Sequence, residues 1–595
     1  MNERALVIRT LIVLMVIVLS VRLFSIQVVD EKYKRIAEDN IINEIVDYPY
    51  RGLVYDRNGQ LLVHNEPAFD VQIVPHEVDL EDSTTICRLL DISHEEYMTA
   101  YQKARRYSSI LPSVFYQKLS NQEFAKIQDQ LINLNGFSVL PRTSRAYNHE
   151  SLANVLGYIG QISSRQLQRD TTGYYAGGDD IGITGIEKQY ENVLRGKRGV
   201  SYKTVNVRGM IMGSFRDGEY DTVPVPGLDI QLTVDLELQR YAEFLMKDKI
   251  GSVVALDPNT GEVLAFVSSP SYDPNLLSGR KFSENYQNIA RDTLNPLFQR
   301  PIQAMYPPGS MFKTILSLIA MQEKRVGPVE EIMCEGNLIG DHAPPGEYDI
   351  RKAITYSSNN FFFKVFRRII QTGTEESPFI DSRIGFETWR NHLLNFGLGR
   401  KLGIDIPNEV SGLVPSLNTY DRVYGKNRWK FSNIYSLSIG QGELLVTPLQ
   451  MANLGAILAN KGFYYTPHLI KTIEDQGPVT FVKNDVGIDS IYYNEVLEGM
   501  KQVVTIGTAR RAFMSDLQIC GKTSTVQNPH GEDHSGFMGF APMKKPQIAV
   551  AVYVENAGEG GRAAATIAGL LVEKYVRGEI TRPWFENYVL EGDFL

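Results

Sequence analysis

Residues 10–21 are almost wholly apolar, stand between Arg9 and Arg22, and have no second run of that length anywhere in the 595-residue chain. Twelve residues are too few to span a bilayer. Counting residues 5–8 and 23–29 widens the stretch to 25 residues, enough for a tilted membrane helix of about 20 if both arginines snorkel to the interfaces. A cleaved secretion signal is the competing reading, since twelve apolar residues also fit an h-region. No small-x-small cleavage site follows, because residues 23–29 are mostly bulky. Flanking charge leaves orientation open, with Arg4 and Arg9 on one side and Lys32, Lys34 and Arg35 on the other. One anchor with everything after residue 30 on one side is the economical topology.

Most of the 595-residue chain is a folding sequence. Its length allows roughly four domain-sized units, and 43% apolar against 22% charged residues is far from the composition of disorder. A net charge of −8 argues against nucleic acid as a partner, since its binders carry an excess of basic residues to replace phosphate counterions. Cys87, Cys334 and Cys520 are widely separated, so neither a disulfide framework nor a zinc knuckle is supported. Such scarcity suits an exported bacterial protein.

Past the anchor, residues 50–63 read as strand, Asn58-Gly59 hairpin turn and strand. Residues 77–135 carry helical periodicity with many charges, and residues 182–190 open a helix after a Gly-Gly-Asp-Asp loop. Two prolines and a glycine within residues 223–227 mark the main boundary. Beyond it, strands are expected at 229–234, 252–256, 263–267, 536–540 and 547–554, with helices at 236–246 and 563–575. Strands at both ends of a segment of roughly 350 residues, with helices between, predict one sheet closed by early and late strands in an α+β or mixed α/β arrangement.

The chemistry sits in three places. Tyr306-Pro307-Pro308-Gly309 cannot continue a helix but can start one, and the apolar residues 311–321 follow. Ser310 then lies in a first helical turn with Lys313 on the same face, and an apolar setting lowers a lysine pKa until its neutral amine accepts a proton. Alone, S-x-x-K is a common surface-helix accident. Ser357-Ser358-Asn359 follows 47 residues later, and Lys522-Thr523-Ser524-Thr525 lies on a predicted strand after Ile519-Cys520-Gly521. S-x-x-K, S-x-N and a K-T-G-like strand in this order are the serine acyl-transferase set. Otherwise Ser357 and Asn359 would be caps or turn residues and Lys522 a solvated strand lysine.

With these motifs the chain resembles the class B penicillin-binding proteins, most closely the elongation type of membrane-anchored peptidoglycan D,D-transpeptidase. The resemblance extends to Arg51-Gly52, Asp56-Arg57-Asn58-Gly59, Leu156-Gly157-Tyr158-Ile159-Gly160, Gly185-x-Glu187-x-x-Tyr190, Leu232-Thr233-Val234-Asp235, Ser438-Ile439-Gly440-Gln441-Gly442 and Thr447-Pro448-Leu449-Gln450. It implies an α+β chain of a cytoplasmic tail (1–9), transmembrane anchor (10–29), elongated pedestal (30–226), serine β-lactamase-like transpeptidase domain (227–578) and C-terminal tail (579–595). It also implies a single-pass protein of the bacterial inner membrane with an extracytoplasmic catalytic domain. Its partners would be peptidoglycan stem peptides, β-lactams and a multi-spanning rod-shape glycan polymerase.

The resemblance also implies roles. Ser310 would be the nucleophile and Lys313 its base, Ser357 would relay the proton to the leaving D-alanine, and Asn359 would bond the substrate amide. Lys522 and Thr523 would hold the donor's terminal carboxylate, and the N–H groups of Ser310 and Thr525 would form the oxyanion hole. Ser524, grouped with Thr523 and Thr525 as substrate-binding, departs from the pattern, because the family usually has glycine there. Its side chain is expected to point where strand and substrate approach.

No cofactor is expected. His530-Gly531-Glu532-Asp533-His534 lies in a Pro- and Gly-containing loop, a poor frame for two histidines four apart to share an ion. Some relatives carry a metal just before the second motif, where this chain has Cys334, Asp341 and His342, but Pro344-Pro345-Gly346 interrupts the segment and no fourth ligand is evident. Three other functions remain open at this level. A β-lactamase or antibiotic sensor would share the motifs, an inactive scaffold would fit Ser524, and a division-type homologue would differ in cellular role.

Overall fold

The computed structural model describes residues 2–25, 42–206, 211–336, 338–528, 531–592 and 594. They form two compact units that interleave along the chain. The first comprises Met1–Gly52, Asn65–Ser144 and Arg195–Gly227, and the second Leu53–His64, Arg145–Leu194 and Leu228–Leu595.

In the first unit a helix runs over Asn2–Phe24, and its side chains from Ile8 to Phe24 are exposed. Among the described residues no helix is long and apolar enough to cross a membrane, so the anchor expected over 10–29 is not shown by the structure. Residues 26–29 of that stretch, and 30–41 of the expected pedestal, lie outside the described residues. Ile42–Asp47, Gly199–Val205 and Ile211–Ser214 make a three-stranded antiparallel sheet.

A separate small core gathers Val71, Ile73, Ile86, Leu90, Tyr97 and Leu131. Its helices His94–Tyr107 and Asn121–Leu131 begin at Ser93 and Ser120, each with a glutamate three residues on that closes a capping box. The helical periodicity over 77–135 hides a strand, Ser113–Ser120, which pairs with Phe69 and its neighbours. Lys118 takes a left-handed conformation there and its N–H bonds Asp70. The resulting bulge breaks the alternation that would have marked the strand.

The second unit is α+β. Its sheet has five strands in the order Val263–Ser269, Gly251–Leu256, Ile548–Val554, His534–Ala541 and Cys520–Val526, antiparallel throughout. Early and late strands therefore close one sheet, as their spacing predicted, but the strand expected at 229–234 is Ile230–Leu232 and pairs in another sheet, with Val54–Tyr55 and Ile470–Ile473. The three inner strands are buried at nearly every position, which requires cover on both faces. Helices Pro448–Ala459 and Ala564–Arg577 pack on it. Gly455 lets the first approach closely, since a Cβ there would lie 3.2 Å from the Gly539 carbonyl oxygen.

The predicted hairpin forms, with Val54–Tyr55 pairing antiparallel to the strand from Leu61, but its connection is a loop over 56–60 and not a two-residue Asn-Gly turn. The Asp56 carboxylate takes the N–H groups of Asn58 and Gln60 at 2.8 Å each, an Asx-type turn that does locally what a two-residue turn would do. The segment 579–595, expected as a tail, contains the helix Pro583–Glu591, and its Val589 is buried in the unit's core.

Candidate active site

Phe312–Gln322 is the helix at the heart of the second unit, with every residue from Phe312 to Met321 buried. A 3₁₀ turn, Gly309–Met311, leads into it and carries Ser310. This turn rests against a glycine: Gly309 N–H donates to the Gly440 carbonyl at 2.9 Å. A Cβ at Gly440 (φ +70°) would lie 2.4 Å from the Gly309 oxygen.

The second motif is built at a junction of two helices. Ile350–Tyr356 ends at Ser357, which adopts the left-handed conformation at φ 59° and ψ 40°. For a residue with a Cβ this costs of order 1–3 kcal/mol and persists only where surroundings impose it. Ser358 then caps Asn359–Ile370 by accepting from Phe361 N–H. Asp341 secures the junction, taking the Ser358 hydroxyl at 2.9 Å and the Asn360 N–H at 2.8 Å.

The third motif lies on Cys520–Val526, an edge strand of the sheet. Lys522 is fully buried and its Nζ donates to Ser357 Oγ at 3.0 Å. Thr523 faces Thr508, their hydroxyl oxygens 2.7 Å apart. Thr525 is exposed, and its hydroxyl accepts from Gly560 N–H at 3.3 Å.

The motifs converge on one atom. Ser357 Oγ donates to Ser310 Oγ at 3.1 Å and accepts from Lys522 at 3.0 Å and from Lys313 Nζ at 3.2 Å. Lys313 also donates to the Ser357 carbonyl and to Asn359 Oδ1, both at 2.6 Å. Its link to Ser310 therefore passes through Ser357, whereas the helical spacing suggested direct approach. Asn359 is engaged at both ends, its Nδ2 donating to Gly340 O at 2.5 Å.

Burial governs the charges. It pushes Lys313 well below the usual lysine range, the neighbouring Lys522 charge pushes the same way, and Asp341 opposes both. Burial alone lowers Lys522 to about 7. Lys313 so placed is available as a neutral amine near physiological pH, the condition for accepting a proton, while Lys522 is divided there between its charged and neutral forms.

Ser524 departs from its expectation. Its side chain is 1% exposed and turns to the turn that carries Ser310, donating to Pro308 O at 2.9 Å. Strand alternation sets it on the face of Lys522 and opposite Thr523 and Thr525. Spacing alone also missed Thr508, Gly440 and the structural use of Asp341. A glycine pair at 440 and 442 was the one visible signal.

Among the described residues no group of three or more His, Cys, Asp or Glu side chains is placed to hold a metal, so Cys334, Asp341 and His342 do not form one. His530 lies outside the described residues. His534 begins a strand, accepts Asn556 N–H at 3.1 Å and meets the Tyr306 ring edge-on.

A serine hydroxyl joined to two buried lysines through a second serine, beside an antiparallel sheet, defines a serine acyl-transferase that works without histidine. The model of the penicillin binding protein transpeptidase domain matches residues 251–573, and that of the penicillin-binding protein dimerisation domain matches residues 46–232. The chain is 31% identical to the peptidoglycan D,D-transpeptidase MrdA of Haemophilus influenzae, over 97% of this chain and 92% of that one. Among solved structures it is similar to the Helicobacter pylori penicillin-binding protein PBP2 in its complex with MreC, with a TM-score of 0.75 and 26% identity over 93% of this chain and all of that one. It is also similar to Pseudomonas aeruginosa PBP2 in complex with WCK 5153, with a TM-score of 0.65 and 28% identity over 91% and 99% of the two chains. The chain belongs to the class B penicillin-binding proteins, with a dimerisation and a transpeptidase domain.

Proposed function

We propose that Ser310 is the nucleophile with which this peptidoglycan D,D-transpeptidase cross-links stem peptides, and that β-lactams acylate the same hydroxyl. The observation carrying this is the convergence of Ser310, Lys313 and Lys522 on Ser357 Oγ. When Lys313 is neutral, its two N–H bonds serve the Ser357 carbonyl and Asn359 Oδ1, and its lone pair is left for the Ser357 hydroxyl. Ser357 then donates to Lys313 and Ser310 donates to Ser357.

As the Ser310 oxygen bonds the penultimate D-alanine carbonyl carbon, its proton passes to Ser357 and the Ser357 proton to Lys313. The carbon–nitrogen bond breaks and the departing D-alanine amine takes a proton back along the same route. An amine of a second stem peptide then attacks the acyl-enzyme carbonyl. The new carbon–nitrogen bond forms as the ester carbon–oxygen bond breaks, and the proton the amine loses returns through Lys313 and Ser357 to Ser310. Lys522 and Thr523 hold the donor carboxylate, a cation and a hydroxyl suiting an anion. The Ser310 and Thr525 N–H groups receive the developing oxyanion, where losing one such donor typically costs about 2.7–4 kcal/mol.

The setting is part of this reading. Residues 10–29 anchor the chain in the bacterial cytoplasmic membrane, supported by an apolar run between Arg9 and Arg22 whose described side chains are exposed. The catalytic unit then works on the outer side, during elongation, beside a multi-spanning glycan polymerase. A similar chain solved in a peptidoglycan synthase complex that coordinates polymerization and crosslinking supports an assembly of this kind. Full-length protein incubated with a fluorescent penicillin should form a long-lived adduct on the peptide containing Ser310. Ser310→Ala should lose it entirely with the thermal unfolding midpoint unchanged. Labelling of the alanine variant would remove Ser310 from its role, and an adduct that hydrolyses within seconds would indicate a β-lactamase.

A further inference from the structure

We propose that Ser524 is a positioning residue: its hydroxyl ties the lysine-bearing edge strand to the turn that carries Ser310 and so sets the distance between them. This rests on the reading that Ser310 is acylated. The bond from Ser524 Oγ to Pro308 O, 2.9 Å long and buried, joins a residue two places after Lys522 to one two places before Ser310. It also joins the immediate neighbour of Thr525 to the turn containing Ser310. The two N–H groups assigned to the oxyanion therefore stand on either side of one side-chain clasp.

The site is shaped for that clasp. A Cβ at Gly309, where φ is +52°, would lie 2.2 Å from Ser524 Oγ, and one at Gly536 would lie 3.3 Å from Ser524 Cβ. Two glycines thus leave the slot that the serine fills. From the other side Gly309 N–H is held by the Gly440 carbonyl, so the turn is gripped between a backbone bond and the Ser524 hydroxyl. Glycine, the usual residue of the motif at this position, offers no donor and would leave the slot empty. In this chain a side chain makes the connection.

Catalysis by orientation is steep in distance, since a misplacement of about 1 Å costs up to about a hundredfold. The test uses the full chain, a fluorescent penicillin in rapid mixing, and Ser524→Ala beside Ser524→Gly. Both variants should still form the adduct on Ser310. Their limiting acylation rate should fall about tenfold, the concentration giving half that rate should move less than twofold, and the lysine-dependent limb of the pH profile should keep its midpoint. An unchanged limiting rate would overturn the proposal. So would a loss confined to affinity, which would return Ser524 to substrate binding, or a loss matching the fraction of unfolded protein. Wild-type chain that takes no label at all would overturn the transpeptidase reading and this inference with it, whereas Ser524→Ala at full speed overturns this inference alone.

Discussion

Lys313 and Lys522 are both fully buried, and the active site carries the cost of their desolvation. For Lys522, with a folded pKa near 7 against 10.5 unfolded, the unfolded chain binds more protons between those values. Stability therefore rises with pH across that window, and the desolvation cost is present in full below about pH 7. Removing the charge should reverse the penalty. Lys522→Met should abolish acylation yet raise the denaturation midpoint more at pH 6 than at pH 9, by a difference of order 3 kcal/mol in stability, since each pKa unit is worth about 1.4 kcal/mol. A gain of equal size at both pH values, or none, would mean that Lys522 is not held as an uncomfortable cation. Which residues would form the site was legible at this scale, because S-x-x-K, S-x-N and the Lys-Thr strand are local strings. How they connect was not. The left-handed Ser357, which puts its hydroxyl between Ser310 and both lysines, depends on two helices meeting at one residue, and no local pattern announces that.

Elements show the same division. The inner strands and buried helices of the second unit follow from apolar runs long enough to be covered on both sides, and their predicted positions agree within a few residues. The strand Ser113–Ser120 escaped because a bulge at Lys118 spoils its period, and the direction of the Ser524 side chain escaped because it depends on Gly309 and Gly536, far apart in sequence. The turn bearing Ser310 depends in the same way on a loop about 130 residues on. Gly440→Ala adds a left-handed alanine, costing about 1–2 kcal/mol on its own, and sets its Cβ 2.4 Å from Gly309 O and 2.7 Å from Phe312 Cβ. One of the two backbones must move. Acylation by penicillin should slow at least about tenfold, with a destabilisation of about 2 kcal/mol or more. A Gly440→Ala protein labelled at the wild-type rate would show that the loop does not hold the turn.

At the scale of the whole molecule, a cut at the proline-rich segment 223–227 looks from sequence like the place to isolate a catalytic domain. The compact unit that contains the site does not begin there, since it includes Leu53–His64 and Arg145–Leu194 as well as everything from Leu228. Those early segments bring Val54, Leu62, Val63, Leu156, Ile186 and Leu194, all but fully buried, into the same core as the catalytic helix and sheet. Burying each such side chain is worth about 1.5–3 kcal/mol, so together they represent about 10 kcal/mol or more. A domain's entire stability is about 5–15 kcal/mol. A fragment of residues 228–595 keeps Ser310, Lys313, Ser357 and Lys522 but loses that core surface, and it should aggregate or fail to take penicillin. Removing only residues 1–25 leaves the second unit whole, and this protein should be acylated at the full-length rate. Both proteins, expressed side by side and titrated with a fluorescent penicillin, test the point: a soluble 228–595 fragment with wild-type acylation would mean that the early segments contribute little to the catalytic unit.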